Sequence, residues 1–338
     1  MKNKMLRLFV VAVILSFGFS AIALAQKPAA AGTRQAASLL SALPPADAVA
    51  LVNVARVLDE VVPKLLADNP AKLAEVTSEL AKFKTQTGLD ARSFEQIALG
   101  FTYSYPREGV TKISSVALAR GTFNAAAMVA AGRLAASGKY VEQKYQGKTI
   151  YIFTFDRQIR LFGLWNLNLG DLAVSALDGT TLALGDLAAV QGVIDSTKAR
   201  KHPNAELLAL ASRDRDAIIG FGGNISPTLL ENLSLSNDSI AREFTAVRQV
   251  YGTLGMTSTE LELMMTARTV DPYAARNLGD TVEGLKQLGA FFVNRLTAAK
   301  GALAKTALNN LKVTAVGNEL QIRTAVAQSQ VAPLIRGN

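Results

Sequence analysis

The sequence predicts an α+β fold of two pseudo-repeated halves, each a mainly antiparallel sheet backed by helices, and three observations predict it. The apolar run Asp47-Ala-Val-Ala-Leu-Val-Asn53 passes straight into helix-like sequence, and Asp216-Ala-Ile-Ile-Gly-Phe-Gly-Gly-Asn224 repeats that arrangement. Most other strand-like runs are joined by short turns, the mark of antiparallel pairing, with helical segments between the sets. The chain, 338 residues with 49% hydrophobic and 19% charged, is long enough for two medium domains or one domain of two similar halves. Units of this length are far longer than those of a solenoid.

The first 25 residues stand outside that fold. Lys2, Lys4 and Arg7 precede the apolar run Leu8 to Phe19, and Ala23-Leu24-Ala25 supplies small residues at the cleavage spacing. This is the build of a secretory signal peptide, with an apolar run too short to span a bilayer. The chain has no cysteine, which excludes a lipoprotein anchor, disulfides, a thiolate nucleophile and cysteine metal ligands. The expected compartment is the bacterial periplasm or exterior. Of 36 basic residues the signal peptide takes three, leaving 33 against 27 acidic residues, a net charge of +6. Such a charge favours anionic surfaces and says nothing about fold. The basic cluster Lys198-Ala-Arg200-Lys201 has no interleaved aromatics, so it reads as a solvated loop and not as a nucleic-acid site.

Residues 26–43 read as a flexible lead with a short helix that Pro44-Pro45 ends. The first repeat is expected over 44–200. A strand at 48–54 is followed by Arg56 to Leu66 and Ala71 to Phe83, both with apolar residues at helical spacing. Strands at 97–104 and 113–120 flank the turn sequence Pro106-Arg-Glu-Gly109. Asn124 to Ala136 is helical by propensity. One hairpin is expected around Gln146-Gly147 and another around Asp178-Gly179 as a two-residue turn; a helix then starts at Asp186 as N-cap. The second repeat is expected over 201–338. Ser226-Pro-Thr-Leu-Leu opens a helix, Leu261 to Thr269 parallels Ser115 to Thr122, and Leu278, Val282, Leu285, Phe292, Leu296 and Leu303 trace one helical seam assigned to core packing. A hairpin around Gly317-Asn318 and a tail helix at 329–335 close the chain, without a counterpart of the first repeat's extra hairpin at 140–155.

Residue order supports a resemblance. Leu43-Pro-Pro-Ala-Asp47, then Gly179-Thr-Thr-Leu-Ala-Leu-Gly185, Ala188-Ala-Val-Gln-Gly-Val-Ile194 and His202-Pro-Asn-Ala-Glu-Leu-Leu before the strand at Asp216 resemble the exported bacterial proteins of the DUF3352 family, over residues 40–335. The family's function is unknown, and the resemblance implies no catalytic residue.

Chemistry is thinly represented. His202, the one histidine, sits before Pro203 in a basic linker without a nucleophile elbow. Gly220-Phe-Gly222-Gly223 lacks the third glycine of a dinucleotide-binding fingerprint and reads as close backbone packing. Asp59-Glu60 and Asp214 with Asp216 are carboxylate pairs without a cation-binding loop around them. No catalytic, cofactor-binding or metal residue is assigned. The segment Ile159 to Leu169 carries the one tryptophan and has no equivalent in the second half. It reads as an apolar flap or as core completion, and Leu161, Phe162, Leu164, Trp165 and Leu167 are its candidate contact residues. The functional expectation is an exported non-enzymatic protein that binds an apolar small molecule or an envelope partner protein. The alternative is an envelope-polymer hydrolase whose acidic residues are distant in sequence.

Overall fold

The computed structural model describes residues 38–87, 90–136, 139–154, 158–161, 165–168, 171–199, 203–232, 243–293 and 298–335. Residues pack into two units. The N-terminal unit comprises Ala29–Thr102 and Ile113–Arg215, and the C-terminal unit comprises Asp216–Asn338 with the hairpin tip Tyr103–Lys112. The expected signal peptide lies outside the described residues.

In the N-terminal unit, strand β1 (Ala48–Asn53) leads into helix α1, which is α-helical over Val54–Arg56, π-helical over Val57–Val61 and α-helical again over Val62–Leu65. The switch from strand to helix is made by Asn53, whose Oδ1 accepts from Arg56 N at 3.0 Å, an N-cap satisfying one of the orphan amides. Helix α2 (Pro70–Thr87) follows, then the long strands β2 (Phe94–Arg107) and β3 (Val110–Gly121) and helix α3 (Ala125–Ala135), capped by Asn124. Next come β4 (Tyr140–Tyr145), β5 (Lys148–Thr154), the separate pair β6 (Gln158–Leu161) and β7 (Trp165–Asn168), then β8 (Asp171–Ala176), β9 (Thr181–Gly185), α4 (Leu187–Ala199) and α5 (Ala205–Ala211). The main sheet runs β1-β2-β3-β9-β8-β5-β4, and its registered pairs are antiparallel.

Both faces of this sheet are covered. Val49, Ala98, Leu118, Ile150 and Ala183 pack against α4, α5 and residues 39–43 on one side, with Leu39, Leu40, Leu43, Val193, Ile194 and Leu207 buried there. On the other side Ala125 and Val129 of α3 pack with Phe123, Phe153, Val174 and Leu182. Two-sided burial explains why β8 and β9 read as nearly continuous apolar runs and not as alternating ones.

The C-terminal unit contains β10 (Ile219–Asn224), α6 (Pro227–Asn232), β11 (Val247–Met256), β12 (Glu260–Thr269), α7 (Pro272–Val293), α8 (Ala298–Asn310), β13 (Lys312–Val316), β14 (Glu319–Ala327) and α9 (Gln328–Ile335). Its strand order is β10-β11-β12-β14-β13, again with antiparallel pairs. Position by position this order matches β1-β2-β3-β9-β8. Ser226 caps α6 by accepting from Leu229 N at 3.1 Å, as its place before Pro227 predicts. The hairpin tip belongs here because the Tyr105 hydroxyl bonds the Ser226 hydroxyl and Asn232 Nδ2 donates to Thr111 Oγ1 at 3.0 Å. Leu278 of α7 is buried with Val247, Ala267 and Leu320.

Several details depart from the sequence expectations. β11 is not visible in the hydrophobic pattern, because Gly252 and Gly255 interrupt its alternation. The seam from Leu278 to Leu303 is split between α7 and α8: Leu278 and Leu303 are buried, Leu285 is 36% exposed, and Leu296 lies outside the described residues. Asp178-Gly179 is not a two-residue turn. Leu177 N donates to Thr181 O at 2.9 Å, and Asp178 Oδ1 accepts from Thr180 N at 2.8 Å, so an Asx turn shapes a longer loop. The two-residue turn with both φ values positive is Gln146-Gly147, at 48° and 81°. Asp186 holds the expected N-cap position, its carbonyl accepting from Val190 N at 2.9 Å, but its carboxylate is turned back to β3, accepting from Ser115 N at 2.7 Å and Ser114 Oγ at 3.0 Å.

Gly185 makes that contact between β9, α4 and β3 possible. Its φ is +152°, and a Cβ there would lie 2.3 Å from Ser115 O. Gly185→Ala must therefore strain or shift β3, and an expected loss of about 2 kcal/mol or more is measurable by urea unfolding. Gly284→Ala is the control: a Cβ there meets nothing within 4 Å, and in a helix interior it should leave stability unchanged or raise it by up to about 1 kcal/mol.

Candidate functional site

The β6–β7 pair departs from one end of the N-terminal sheet. At its neck β5 finishes at Thr154 and β8 begins at Asp171; these residues are paired in register, and Thr154 Oγ1 donates to Asp171 Oδ1 at 2.8 Å. Beside the neck α3 ends and the edge strand β4 begins. Arg133 Nε donates to the Tyr140 hydroxyl at 3.1 Å, and the guanidinium lies 5.3 Å and 5.0 Å from the ring centres of Tyr140 and Tyr151, within cation–π range. Tyr140 also lies against Phe153, at 5.9 Å between centroids. The Tyr140 hydrogen bond holds the Arg133 guanidinium above its ordinary pKa. Outside this packed cluster Leu134 is 82% exposed and Val141 63% exposed.

The ribbon has a two-sided register. Ile159 pairs with Leu167 and Leu161 with Trp165, while Gln158 pairs with Asn168 and Arg160 with Asn166. Side chains alternate across a pleated strand and cross-strand partners share a face. The pairing therefore assigns Ile159, Leu161, Trp165 and Leu167 to one face and Gln158, Arg160, Asn166 and Asn168 to the other. Of the five candidate residues, Leu161, Trp165 and Leu167 share the apolar register, with their side chains outside the described set; Phe162 and Leu164 lie wholly outside the described residues. The spacing in the sequence contained this ribbon, since Ile159-Arg-Leu161 and Trp165-Asn-Leu167 each alternate. What hid it was the brevity of the runs.

A second polar arrangement, not singled out from sequence, crosses the C-terminal sheet. Asn224, Gln249, Arg268 and Glu319 stand opposite one another on β10, β11, β12 and β14. Gln249 donates to Asn224 Oδ1 at 3.1 Å, and Arg268 donates to Gln249 Oε1 at 2.8 Å and to Glu319 Oε1 at 2.9 Å and 3.0 Å. Arg268 also lies 5.6 Å from the Tyr251 ring centre. Each member is met by its neighbour, so the ladder is a device for sheet cohesion.

The remaining sequence candidates do not converge. Gly220, Gly222 and Gly223 lie inside β10, paired with Thr253, Tyr251 and Val250, and not in a phosphate-cradling loop. Asp59 accepts from Arg92 and Glu60 from Arg56. His202 lies outside the described residues, and among those described no three of His, Cys, Asp or Glu form a metal-holding group. Among the described residues no helix is long and apolar enough to cross a membrane.

No protein-family model matches the chain, so the DUF3352 resemblance rests on residue order alone, and no curated protein matches it. Solved structures similar to it in shape include three crystal forms of TP0453. Form III has 10% identity and a TM-score of 0.46, covering 88% of this chain and 98% of that chain. Form IV has 11% identity and a TM-score of 0.44, covering 88% and 95%. Form I has 10% identity and a TM-score of 0.44, covering 88% and 96%. These likenesses carry no functional argument.

The Asp90 and Asp178 carboxylates, both among the described residues, have pKa values shifted below the ordinary range. The Asp90 carboxylate is lowered by the Arg92 backbone N–H and by Lys84. Burial pushes Asp178 up, but the Thr180 backbone N–H, the hydroxyls of Thr181 and Thr180, and Arg120 outweigh it. A general acid needs the opposite shift, so neither supports the hydrolase alternative. Because its folded pKa is depressed, Asp178 contributes stability above the ordinary carboxylate range, roughly pH 4, that is lost as pH falls through the lowered value. Asp178→Asn should melt at lower temperature near neutrality and close the gap to the parent protein below that pH, as a melting series across pH will report.

Proposed function

We propose that this chain is an exported, non-catalytic binding protein, built from a duplicated α+β unit, whose β6–β7 ribbon captures an apolar molecule or an envelope partner. The observation that carries the reading is the ribbon's register, with four apolar residues on one face and four polar residues on the other. A two-stranded ribbon has no second layer of its own with which to bury an apolar face, and it is marginal without packing against something else. The signal-peptide features of residues 1–25 support export, and the absence of cysteine agrees with a non-lipidated product. The matching strand orders of the two units support duplication.

The test uses the processed chain taken from an envelope extract and weighed by mass spectrometry under non-denaturing conditions. A bound apolar molecule or a reproducible partner is expected, and Leu161→Ala with Trp165→Ala should lose it at an unchanged melting temperature. A clean, unliganded chain would count against the reading. So would cooperative destabilisation of the double variant by about 3 kcal/mol or more, the signature of core residues.

A further inference from the structure

A sheet that ends in an uncovered strand offers that strand's outer backbone groups to another strand. In the N-terminal unit this strand is β4, which pairs with β5 on one side and, among the described residues, with no strand on the other. The two-residue turn at Gln146-Gly147 makes Tyr145 and Lys148 the closing hydrogen-bonded pair. Alternation along the ladder then gives the bonds with β5 to Val141, Gln143 and Tyr145. It points the amides and carbonyls of Tyr140, Glu142 and Lys144 outward.

The side chains of β4 specify what can meet those groups. Glu142 and Lys144 share a face and form an ion pair at 3.1 Å, with side chains 38% and 75% accessible. One acid and one base two residues apart make a self-complementary pattern. An antiparallel second β4, with the two-fold axis at Gln143, sets each Glu142 opposite the other copy's Lys144, at positions whose backbone groups face each other. Moving the axis to Glu142 or to Lys144 keeps the backbone match but sets like charges opposite one another, which is destabilising. The Gln143 register also lays Val141, 63% exposed, against the other copy's Tyr145. That tyrosine is held in place by its hydroxyl, which donates to the Asp195 carboxylate at 2.9 Å and 3.1 Å.

The outer strand of the C-terminal sheet has no such pattern. β13 carries Lys312 as its one charge, so an antiparallel copy of β13 brings no carboxylate to meet it. A strand of another sequence meets a glutamate and a lysine in fixed order at β4, a barrier that a matching order turns into an attraction.

We propose that β4 is a dimerisation edge: two copies of this chain pair antiparallel about Gln143, joining their N-terminal sheets across a two-fold axis. Glu142 and Lys144 exchange backbone hydrogen bonds with their counterparts, and the four side chains form a square of alternating charge. The contact is isologous and closes on itself. Six residues at about 3.3 Å each give a strip roughly 20 Å long, too narrow for the ~800 Å² per partner of a standard complex. The dimer is therefore reversible and forms with rising concentration. It goes beyond the capture assigned to the ribbon and does not depend on it.

The test is sedimentation equilibrium of the processed chain over a series of concentrations. A monomer–dimer equilibrium is expected, weakened by added salt. Lys144→Glu should raise its dissociation constant roughly tenfold, and Glu142→Lys should do the same. Mixing these two variants should restore a dimer with one copy of each, because each supplies the charges the other lacks. Lys312→Glu on β13 should leave the equilibrium unchanged. In the parent chain the amides of Glu142 and Lys144 should gain protection from hydrogen exchange as concentration rises, a readout that needs no variant. A chain that stays monomeric throughout overturns the proposal. So does a dimer that survives Lys144→Glu, or a pair of variants that remains monomeric when mixed. Each of these failures leaves the ribbon's binding function standing.

Discussion

A sheet has two faces, and each must be covered or made polar; both units of this protein are answers to that constraint. In the N-terminal unit α4, α5 and residues 39–43 close one face and α3 closes part of the other. In the C-terminal unit α7 closes the face of Ala267 and Leu320, while the opposite register carries Asn224, Gln249, Arg268 and Glu319 in a mutually satisfied ladder. The same strand order is thus finished in two ways, by apolar cover and by polar pairing. The contact at Gly185 belongs to the same logic: α4 can lie on its sheet only if β9 ends against Ser115 without a side chain in between.

The β6–β7 ribbon is where that constraint is left unmet by the ribbon itself. Among the described residues it is a separate two-stranded pair, with a register that divides apolar from polar. A proposal of capture follows from that imbalance. Nothing in this reading needs bond chemistry, and the shifted carboxylates are held ionised by hydrogen bonds.

Much of the architecture was legible because it rests on local signals. The strand closing at Asn53 ahead of helical sequence, Ser226 before Pro227, and the hairpins at Gln146-Gly147 and Gly317-Asn318 each depend on a few neighbouring residues. Long-range effects were less legible. The strand β11 is held by pairing on both sides despite its glycines, which no local window records. Asp178 looked like half of a two-residue turn, yet its carboxylate finds the Thr180 amide and lengthens the loop. Asp186 takes its expected N-cap position, but its carboxylate goes to two donors of β3, 71 and 72 residues away in the chain. For the candidate site, Trp165 and Leu161 stood out by composition, whereas their pairing, which gives the segment a face, required the fold.

The most direct test of this account is amide hydrogen exchange on the processed chain, with and without the molecule or partner that co-purifies with it. The account predicts that the amides of 158–161 and 165–168 exchange far faster than those of β8 in the free protein, and that they gain strong protection when the captured molecule or partner is bound. Protection of the ribbon equal to that of β8 in the free protein would contradict it, because the apolar face would then already be covered by the protein.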